Sequence, residues 1–244
     1  MGVTRSASVL EAPVLEAIDL YRFFHTGGEE TLALRGVSVS VNAGEMVAIT
    51  GPSGSGKSTL LACLAGLDEP DGGMVRVAGH ELSRRPETER SQLRARHIGM
   101  LFQTNNLLDH LSVEANVALA QRLAQRLARR LASHHTSPPV RGLLDELGIS
   151  HRRNSRPSQL SGGELARAGL AVTLANDPEL IVADEPTGEL DSDSANMVLD
   201  VLAVRAARGA AIVLVTHSPD VAAVAHRQVV LRDGVVVCTP QGSR

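Results

Sequence analysis

The stretch that decides the fold of this chain is Met46-Val47-Ala48-Ile49-Thr50-Gly51-Pro52-Ser53-Gly54-Ser55-Gly56-Lys57-Ser58-Thr59. Its first part, 46–50, is a nearly continuous apolar run, which is typical of a strand buried on both faces. The next part, 51–58, matches G-x-x-x-x-G-K-[ST] at every fixed position, and leucines at helical spacing follow it. The order of strand, glycine loop and helix predicts a site for nucleotide phosphates, because glycines let backbone N–H groups converge on phosphate oxygens at a helix N-terminus.

Lys57 is the only lysine among the 24 Lys and Arg residues, so the other 23 are arginines. A compositional bias toward arginine replaces lysine wherever either cation suffices. A lysine is retained only where a compact ammonium is required. We therefore expect Lys57 to reach the β- and γ-phosphates and the Ser58 hydroxyl to bind Mg²⁺. The predicted nucleotide-binding residues of this loop are Gly51, Pro52, Ser53, Gly54, Ser55, Gly56, Lys57, Ser58 and Thr59.

Composition excludes several classes of protein. A chain of 244 residues with 43% hydrophobic and 21% charged residues is that of a folded domain, either one large α/β unit or a core with a lobe. Its formal net charge of −3 lacks the basic excess of a general nucleic-acid binder. No apolar run approaches the ~18 residues of a membrane span, so we expect a soluble chain. Two cysteines, Cys63 and Cys238, indicate a reducing compartment.

The pattern of apolar and polar residues predicts the secondary structure of the rest of the chain. It predicts antiparallel strands at 14–22, at 37–41 and around Val75 and Val77, and a last hairpin turning at Asp233-Gly234. Apolar runs predict further strands at 98–102, 180–183 and 211–216, with a helix at about 192–208. We therefore predict an α/β fold: a mixed sheet with flanking helices, an antiparallel β-subdomain and an inserted α-helical lobe at about 108–175. The domain would span 14–237, between tails at 1–13 and 238–244.

Two carboxylates end the predicted strand Leu180-Ile181-Val182-Ala183. Asp184 and Glu185 stand where many phosphate-loop nucleotide hydrolases hold Mg²⁺, at the carboxyl edge of the sheet. Asp184 would coordinate the metal directly or through water. Glu185 would polarise the attacking water as general base.

The segment Leu160-Ser161-Gly162-Gly163-Glu164 precedes an apolar helical pattern. Ser161 and Glu164 form a capping box, which explains those two residues as a helix start. It leaves Gly162 and Gly163 unexplained, because glycine weakens a first helical turn unless something approaches the backbone closely. We expect that something to be a γ-phosphate bound by a second copy of the chain.

Taken together, these motifs resemble those of the ATP-binding-cassette (ABC) ATPases, and the resemblance covers about 14–237. The ordered set is the loop 51–58, Leu101-Phe102-Gln103, Leu160 to Glu164, Asp184-Glu185, Gly188-Glu189-Leu190-Asp191 and His217. The resemblance implies that Gln103 contacts Mg²⁺ or the lytic water and that His217 contacts the γ-phosphate. It also implies that Leu190 and Asp191 touch the partner subunit, and that Phe24 stacks on adenine, with Phe23 and Tyr21 as alternatives.

The segments 98–108 and 183–191 look most like those of lipoprotein-releasing, macrolide-export and cell-division ABC complexes. Leu165 and Ala166 depart from these relatives, which usually carry glutamines there. An arginine-leucine stretch at 119–132 also looks longer than usual. It is either a solvated helix face or a surface that meets anionic headgroups or a membrane partner.

The family resemblance implies a Mg²⁺-dependent ATPase subunit that dimerises head-to-tail on ATP and drives a separate membrane permease. Such a subunit would lie peripherally on the cytoplasmic face of the inner or plasma membrane, and it would not bind nucleic acid. An alternative is a cassette whose membrane partner moves no substrate and activates a surface enzyme instead. A DNA-repair or translation ABC protein is a third reading, which the charge balance disfavours.

Overall fold

The computed structural model describes residues 12–26, 29–104, 106–130 and 137–237. Within these ranges the strands are β1 (Leu15–Thr26), β2 (Glu29–Val41), β3 (Met46–Thr50), β4 (Gly72–Val77), β5 (His80–Glu81), β6 (Ile98–Leu101), β7 (Leu180–Asp184), β8 (Ala211–Val215), β9 (Arg227–Arg232) and β10 (Val235–Val237). The α-helices are α1 (Lys57–Leu64), α2 (Glu87–His97), α3 (Val113–Arg130), α4 (Val140–Glu146), α5 (Gly162–Thr173), α6 (Ser192–Ala207) and α7 (Pro219–Ala223). Two short 3₁₀ helices cover Ser150–Arg152 and Pro157–Gln159.

The central sheet has the strand order β10-β9-β3-β8-β7-β6. All its neighbouring pairs are parallel except β9 and β10, which form the predicted hairpin through Asp233 and Gly234. This confirms a mixed sheet. Since the carboxyl ends of parallel strands meet at one edge, the segments that follow β3, β7 and β8 lie side by side. Val215, the last residue of β8, pairs with Ile49 of β3 and with Asp184 of β7.

A second sheet is antiparallel, with the strand order β2-β1-β4-β5. It confirms the antiparallel pairing predicted for 14–22 and 37–41, although both strands are longer than the alternating pattern indicated. The two sheets meet where the Arg35 backbone N–H donates to the Gly234 carbonyl at 2.8 Å. The β-subdomain is thereby joined to the hairpin of the central sheet.

Apolar side chains cover both faces of the central sheet. On β8, Val213 packs into the cluster that includes α1 and the antiparallel sheet, whereas Leu214 packs into the cluster that includes α5 and α6. Val182 and Ile181 on β7 divide in the same way. Burial on both sides explains why these strands read as continuous apolar runs.

The chain between β6 and β7 is helical, with α3, α4, α5 and the two 3₁₀ helices and no strand in its described residues. The arginine-leucine stretch at 119–132 forms the second half of α3, and residues 131–132 lie outside the described residues. On this helix Arg122 and Leu123 are exposed. Residues 1–11 and 238–244, which hold most of the predicted tails and Cys238, also lie outside the described residues.

Two glycines provide a matched test of this packing. A methyl group at Gly99 on β6 would lie 2.5 Å from the Thr173 carbonyl oxygen, whereas one at Gly142 in α4 would meet nothing within 4 Å. We expect Gly99→Ala to lower the free energy of unfolding by about 1–3 kcal/mol, because the backbone of α5 has to move. Gly142→Ala should raise it by about 0.5–1 kcal/mol through helix propensity. Urea unfolding measures both, and equal effects would contradict the packing described.

Candidate functional site

The phosphate loop between β3 and α1 is held by two carbonyl groups of the surrounding strands. A Cβ atom at Gly51 would lie 2.0 Å from the Leu231 carbonyl oxygen of β9, and one at Gly56 would lie 2.5 Å from that of Ala33 in β2. Gly51 has φ 149° and Gly56 has φ 98°, values that side chains oppose. The first and last fixed glycines of the motif are therefore required by the fold itself. Their backbone then leads directly into the first turn of α1.

Lys57 begins α1, and its side chain turns back over the loop. The Nζ atom donates to the Gly51 carbonyl oxygen at 2.9 Å and to that of Pro52 at 2.8 Å. The ammonium is thus placed over the loop backbone, where the sequence predicts phosphates. A longer, planar guanidinium would not fit the same pair of acceptors.

Asp184 and Ser58 share a small cavity of about 60 Å³ between α1 and the central sheet. Burial, and then the negative charge of Glu185, raises the pKa of Asp184, while the positive charge of Lys57 acts against that shift. The carboxyl group therefore lies where its charge is costly without a nearby cation. Of the three predicted metal ligands, the structure brings Ser58 and Asp184 to this one cavity, whereas Gln103 lines a different groove.

Glu185 lies at the end of β7 in a left-handed conformation, with φ 45°. Its Oε2 accepts a hydrogen bond from the Thr216 hydroxyl at 3.1 Å, and its Oε1 accepts from the His217 backbone N–H at 2.9 Å. The His217 ring nitrogen Nδ1 lies 2.7 Å from the same Oε1. The carboxylate is 17% exposed and the imidazole 76%, so Glu185 is held from one side and the histidine faces outward.

Gln103 follows β6 and lines a groove of about 390 Å³ together with Glu185, Glu189 and Gly162. Its Nε2 lies 3.5 Å from Glu189 Oε1. The structure thus brings Gln103 to the same groove as Glu185. It directs the amide toward Glu189, and among the described residues no hydrogen bond joins it to Ser58 or Asp184.

The helix α5 starts with the predicted capping box. The Ser161 hydroxyl accepts from the Glu164 N–H at 3.3 Å, and Glu164 Oε2 accepts from the Ser161 N–H at 2.9 Å. A Cβ atom at Gly163 would lie 2.4 Å from the Ser194 hydroxyl of α6, whereas one at Gly162 would meet nothing within 4 Å. A side chain at Gly163 would therefore displace the Ser194 hydroxyl, a contact within the chain that the sequence did not reveal. Gly162 is exposed and has no such explanation.

Glu164 is mostly buried, and both its carboxylate oxygens have partners within the chain. Its Oε1 accepts from Arg152 Nε at 2.9 Å and lies 3.3 Å from His151 Nε2. The hydrogen bond from the Ser161 backbone, together with Arg152, lowers the pKa of Glu164 to about 2. Its charge therefore stabilises the start of α5 from inside the chain.

Asp191 caps the next helix in a similar way. Its Oδ1 accepts from the Ser194 N–H at 3.0 Å, and its Oδ2 accepts from the Ser194 hydroxyl at 3.0 Å. These hydrogen bonds from Ser194 lower the pKa of Asp191. Ser194 thus contacts both the capping aspartate and Gly163, and it links the starts of α5 and α6.

Phe24 lies near the end of β1, 38% exposed, with the Arg22 guanidinium 4.9 Å from its ring centroid. Of the two alternatives, Tyr21 packs against Gly36 and Gly72 of its own sheet. Tyr21 is nonetheless 41% exposed and Phe23 is half-buried, so exposure does not separate Phe24 from Tyr21; what distinguishes Phe24 is the Arg22 guanidinium over its ring.

Three residues of the site escaped the sequence analysis, namely Thr216, Ser194 and Arg22. Thr216 was detectable in principle, because it precedes His217 at the end of an apolar run that predicts a parallel strand. Ser194 and Arg22 act on partners far along the chain or on another strand, and no local pattern marks them.

Comparison with known proteins identifies the family to which the chain belongs. The family model described as ABC transporter matches residues 34–188. The macrolide export ATP-binding/permease protein MacB of Shigella flexneri is 42% identical over 228 residues, and that of Escherichia coli K12 is also 42% identical. Each alignment covers 93% of this chain and 34% of MacB, so the chain spans about a third of the length of these relatives.

Solved structures show the same fold. The dimeric structure of MJ0796, a bacterial ABC transporter cassette, superposes with a TM-score of 0.80 at 31% identity, covering 92% of this chain and 97% of that one. A dimeric post-hydrolysis state of MJ0796 bound to ADP and Pi gives 0.79 at 32% identity, with the same coverage. Among the described residues, none of the helices combines the length and apolar character needed to cross a membrane. This chain belongs to the ABC transporter family, as an ATP-binding cassette with ATPase function.

Proposed function

We propose that this chain binds ATP together with Mg²⁺, pairs head-to-tail with a second copy, hydrolyses the nucleotide and thereby drives a membrane permease. The observation that carries the proposal is the convergence of Lys57, Asp184 and Glu185 at the carboxyl edge of one sheet. A cation for phosphates, a carboxylate beside a hydroxyl, and a second carboxylate held by hydrogen bonds together are the parts that nucleotide hydrolysis needs.

Nucleotide binding would use the loop 51–59 and the start of α1. Backbone N–H groups there face the phosphates, and Lys57 would exchange its two carbonyl acceptors for β- and γ-phosphate oxygens. Phe24 would stack on the adenine. These roles rest on the resemblance together with the placement of the side chains.

The donor set around Ser58 and Asp184 fits Mg²⁺. Both offer hard oxygen ligands, and they share one cavity. In the part of the chain that the structure describes, no three acidic, cysteine or histidine side chains cluster as a metal site. That arrangement suits Mg²⁺, which takes few protein ligands beside phosphates and water. When bound, the ion supplies positive charge that offsets the charge developing on the phosphates.

Hydrolysis would use Glu185 as the general base. Thr216 and the His217 backbone fix the two carboxylate oxygens, and Oε2, which accepts only from Thr216 among the described residues, keeps a lone pair that can accept the proton of the attacking water. The exposed imidazole of His217, anchored on Glu185, would contact the γ-phosphate. Gln103, at the edge of the same groove, would sense the nucleotide and pass its state to the helical lobe.

Dimerisation would complete the site. Gly162 faces outward at the N-terminus of α5, and nothing among the described residues requires a glycine there. A γ-phosphate held by the second copy would supply that requirement and would meet the N–H groups of this first turn. Leu190 and Asp191 would lie in the contact between the two copies. The dimeric MJ0796 structures support the pairing of two cassettes.

A membrane permease is the proposed partner because the MacB relatives carry ATP-binding and permease functions under one name. The cassette would then lie peripherally on the cytoplasmic face of the membrane. Coupling would run from Gln103 through the helices between β6 and β7.

Loss of the base gives a direct test of hydrolysis. We expect Glu185→Gln to lower kcat for ATP at least about 100-fold, because an amide cannot accept the proton. Lys57→Ala should abolish turnover by removing phosphate binding. Asp193→Asn, an isosteric change at an exposed carboxylate in the first turn of α6, serves as the matched control and should leave turnover unchanged. Wild-type turnover in Glu185→Gln would refute the assignment.

The head-to-tail pair can be tested by mixing two inactive variants. Gly162→Asp should fold as stably as the wild type, because the site is open and an acid suits a first helical turn. It should be inactive, since its carboxylate would repel a γ-phosphate. Mixed in equal amounts with Lys57→Ala, it should recover about a quarter of wild-type turnover, because half the dimers then hold one intact site of two.

The control for this mixture is a chain that carries both substitutions, mixed with either single variant. No mixed dimer of that kind has an intact site, so turnover should stay at background. If Gly162→Asp alone retains activity, or if the first mixture recovers none, the shared site is wrong.

A further inference from the structure

Arg22 on β1 joins the exposed ring of Phe24 to the loop that follows α1. Its Nε and Nη2 atoms donate to the two carboxylate oxygens of Asp68, each at 2.9 Å, and its Nη1 donates to Asp71 at 3.0 Å. The same guanidinium lies over the Phe24 ring, 4.9 Å from the centroid. With only 21% of its side chain exposed, Arg22 is held in one orientation by three groups.

Asp71, one of the two carboxylates that hold Arg22, is itself bonded to the backbone of β1. Asp71 Oδ2 also accepts from the Phe23 backbone N–H at 2.7 Å, and the Asp71 N–H donates to the Tyr21 carbonyl at 2.9 Å. A planar fork that pairs with both carboxylates at once cannot rotate without breaking several charge-assisted hydrogen bonds. Its flat face is therefore a stable support for an aromatic ring.

The register of the antiparallel sheet places this ring near the phosphate loop. Phe24 pairs with Thr31 on β2, and the Ala33 carbonyl of the same strand lies against Gly56. Two residues along a strand span about 7 Å, which is within the reach of a nucleotide whose phosphates occupy the loop.

We propose that Arg22 is a positioning residue for base binding: it supports one face of Phe24 and orients the ring so that its other face receives the adenine. This inference rests on the proposed role of Phe24. A free phenylalanine side chain loses rotational freedom when a base stacks on it, and a ring already held by Arg22 loses less. Arg22 therefore contributes to the binding of the adenine base. It does not contribute to phosphate binding or to the hydrolytic step.

The test compares Arg22→Gln with the wild type in steady-state ATP hydrolysis. KM for ATP should rise about three- to tenfold with little change in kcat, as expected for the loss of one ordered side chain in ground-state binding. The inhibition constant of inorganic tripolyphosphate, which has no base, should not change. Arg76→Gln is the matched control, because Arg76 pairs with Glu16 at 3.1 Å in the same sheet and contacts no ring in the described structure.

Combining Arg22→Gln with Phe24→Leu distinguishes a role in orienting the ring from a general effect on protein stability. In Phe24→Leu, which has no ring to orient, adding Arg22→Gln should raise KM no further, because two residues that act through one contact are not additive. Arg22→Lys should behave as Arg22→Gln does, since an ammonium cannot span the ring and both carboxylates. It replaces Arg22→Gln if that variant fails to fold.

Each contrary outcome has a distinct meaning. An unchanged or lower KM in Arg22→Gln overturns the inference, and so does an effect that persists in Phe24→Leu or that extends to tripolyphosphate. If Phe24→Leu itself leaves KM for ATP unchanged, the adenine-stacking role of Phe24 fails, and the inference fails with it. The Glu185→Gln and mixed-dimer experiments judge the hydrolytic site independently of both.

Discussion

Two carbonyl groups, those of Ala33 and Leu231, lie so close to the phosphate loop that no side chain fits at Gly56 or Gly51. This close approach fixes the shape of the loop from two directions, because Ala33 belongs to the antiparallel sheet and Leu231 to the central one. The position of Lys57 over the loop follows from that shape. The distance from the loop to Phe24 follows from it as well, since Ala33 and the partner of Phe24 lie on one strand.

Electrostatics at the sheet edge depends on the same placement. Asp184 and Glu185 are adjacent carboxylates, and burial together with mutual repulsion makes the charge of Asp184 costly. Lys57 offsets part of that cost, and the hydrogen bonds from Thr216 and His217 hold Glu185 without a cation. The two carboxylates therefore have different environments. Asp184 is half-buried beside the Lys57 ammonium, whereas Glu185 is held by hydrogen bonds at both of its oxygens.

The sequence predicted those parts of the molecule whose causes are local. One continuous segment, 46–64, contains the strand, the glycine loop and the helix. The apolar runs of β7 and β8 reflect burial on both faces of a sheet. The α/β class, the mixed sheet and the antiparallel pairing of β1 with β2 were predicted for that reason. The roles given to the individual site residues remain predictions, supported by where the side chains lie.

What the sequence could not predict depends on contacts between distant segments. The close packing at Gly163 comes from Ser194, about thirty residues away, and the carboxylates that pair with Arg22 come from the segment after α1. The direction of the Gln103 amide depends on Glu189 in another loop. No periodicity or short motif contains such information, because each contact exists only once the sheets have brought the segments together.

The hydroxyl of Ser194 has a consequence for how two copies of this cassette could associate. Because it is bonded to Asp191 and lies beside Gly163, the two surfaces assigned to the partner are adjacent in the folded chain. They are presented as one preorganised face. Association then immobilises fewer separate parts, so less entropy is lost when the nucleotide is enclosed.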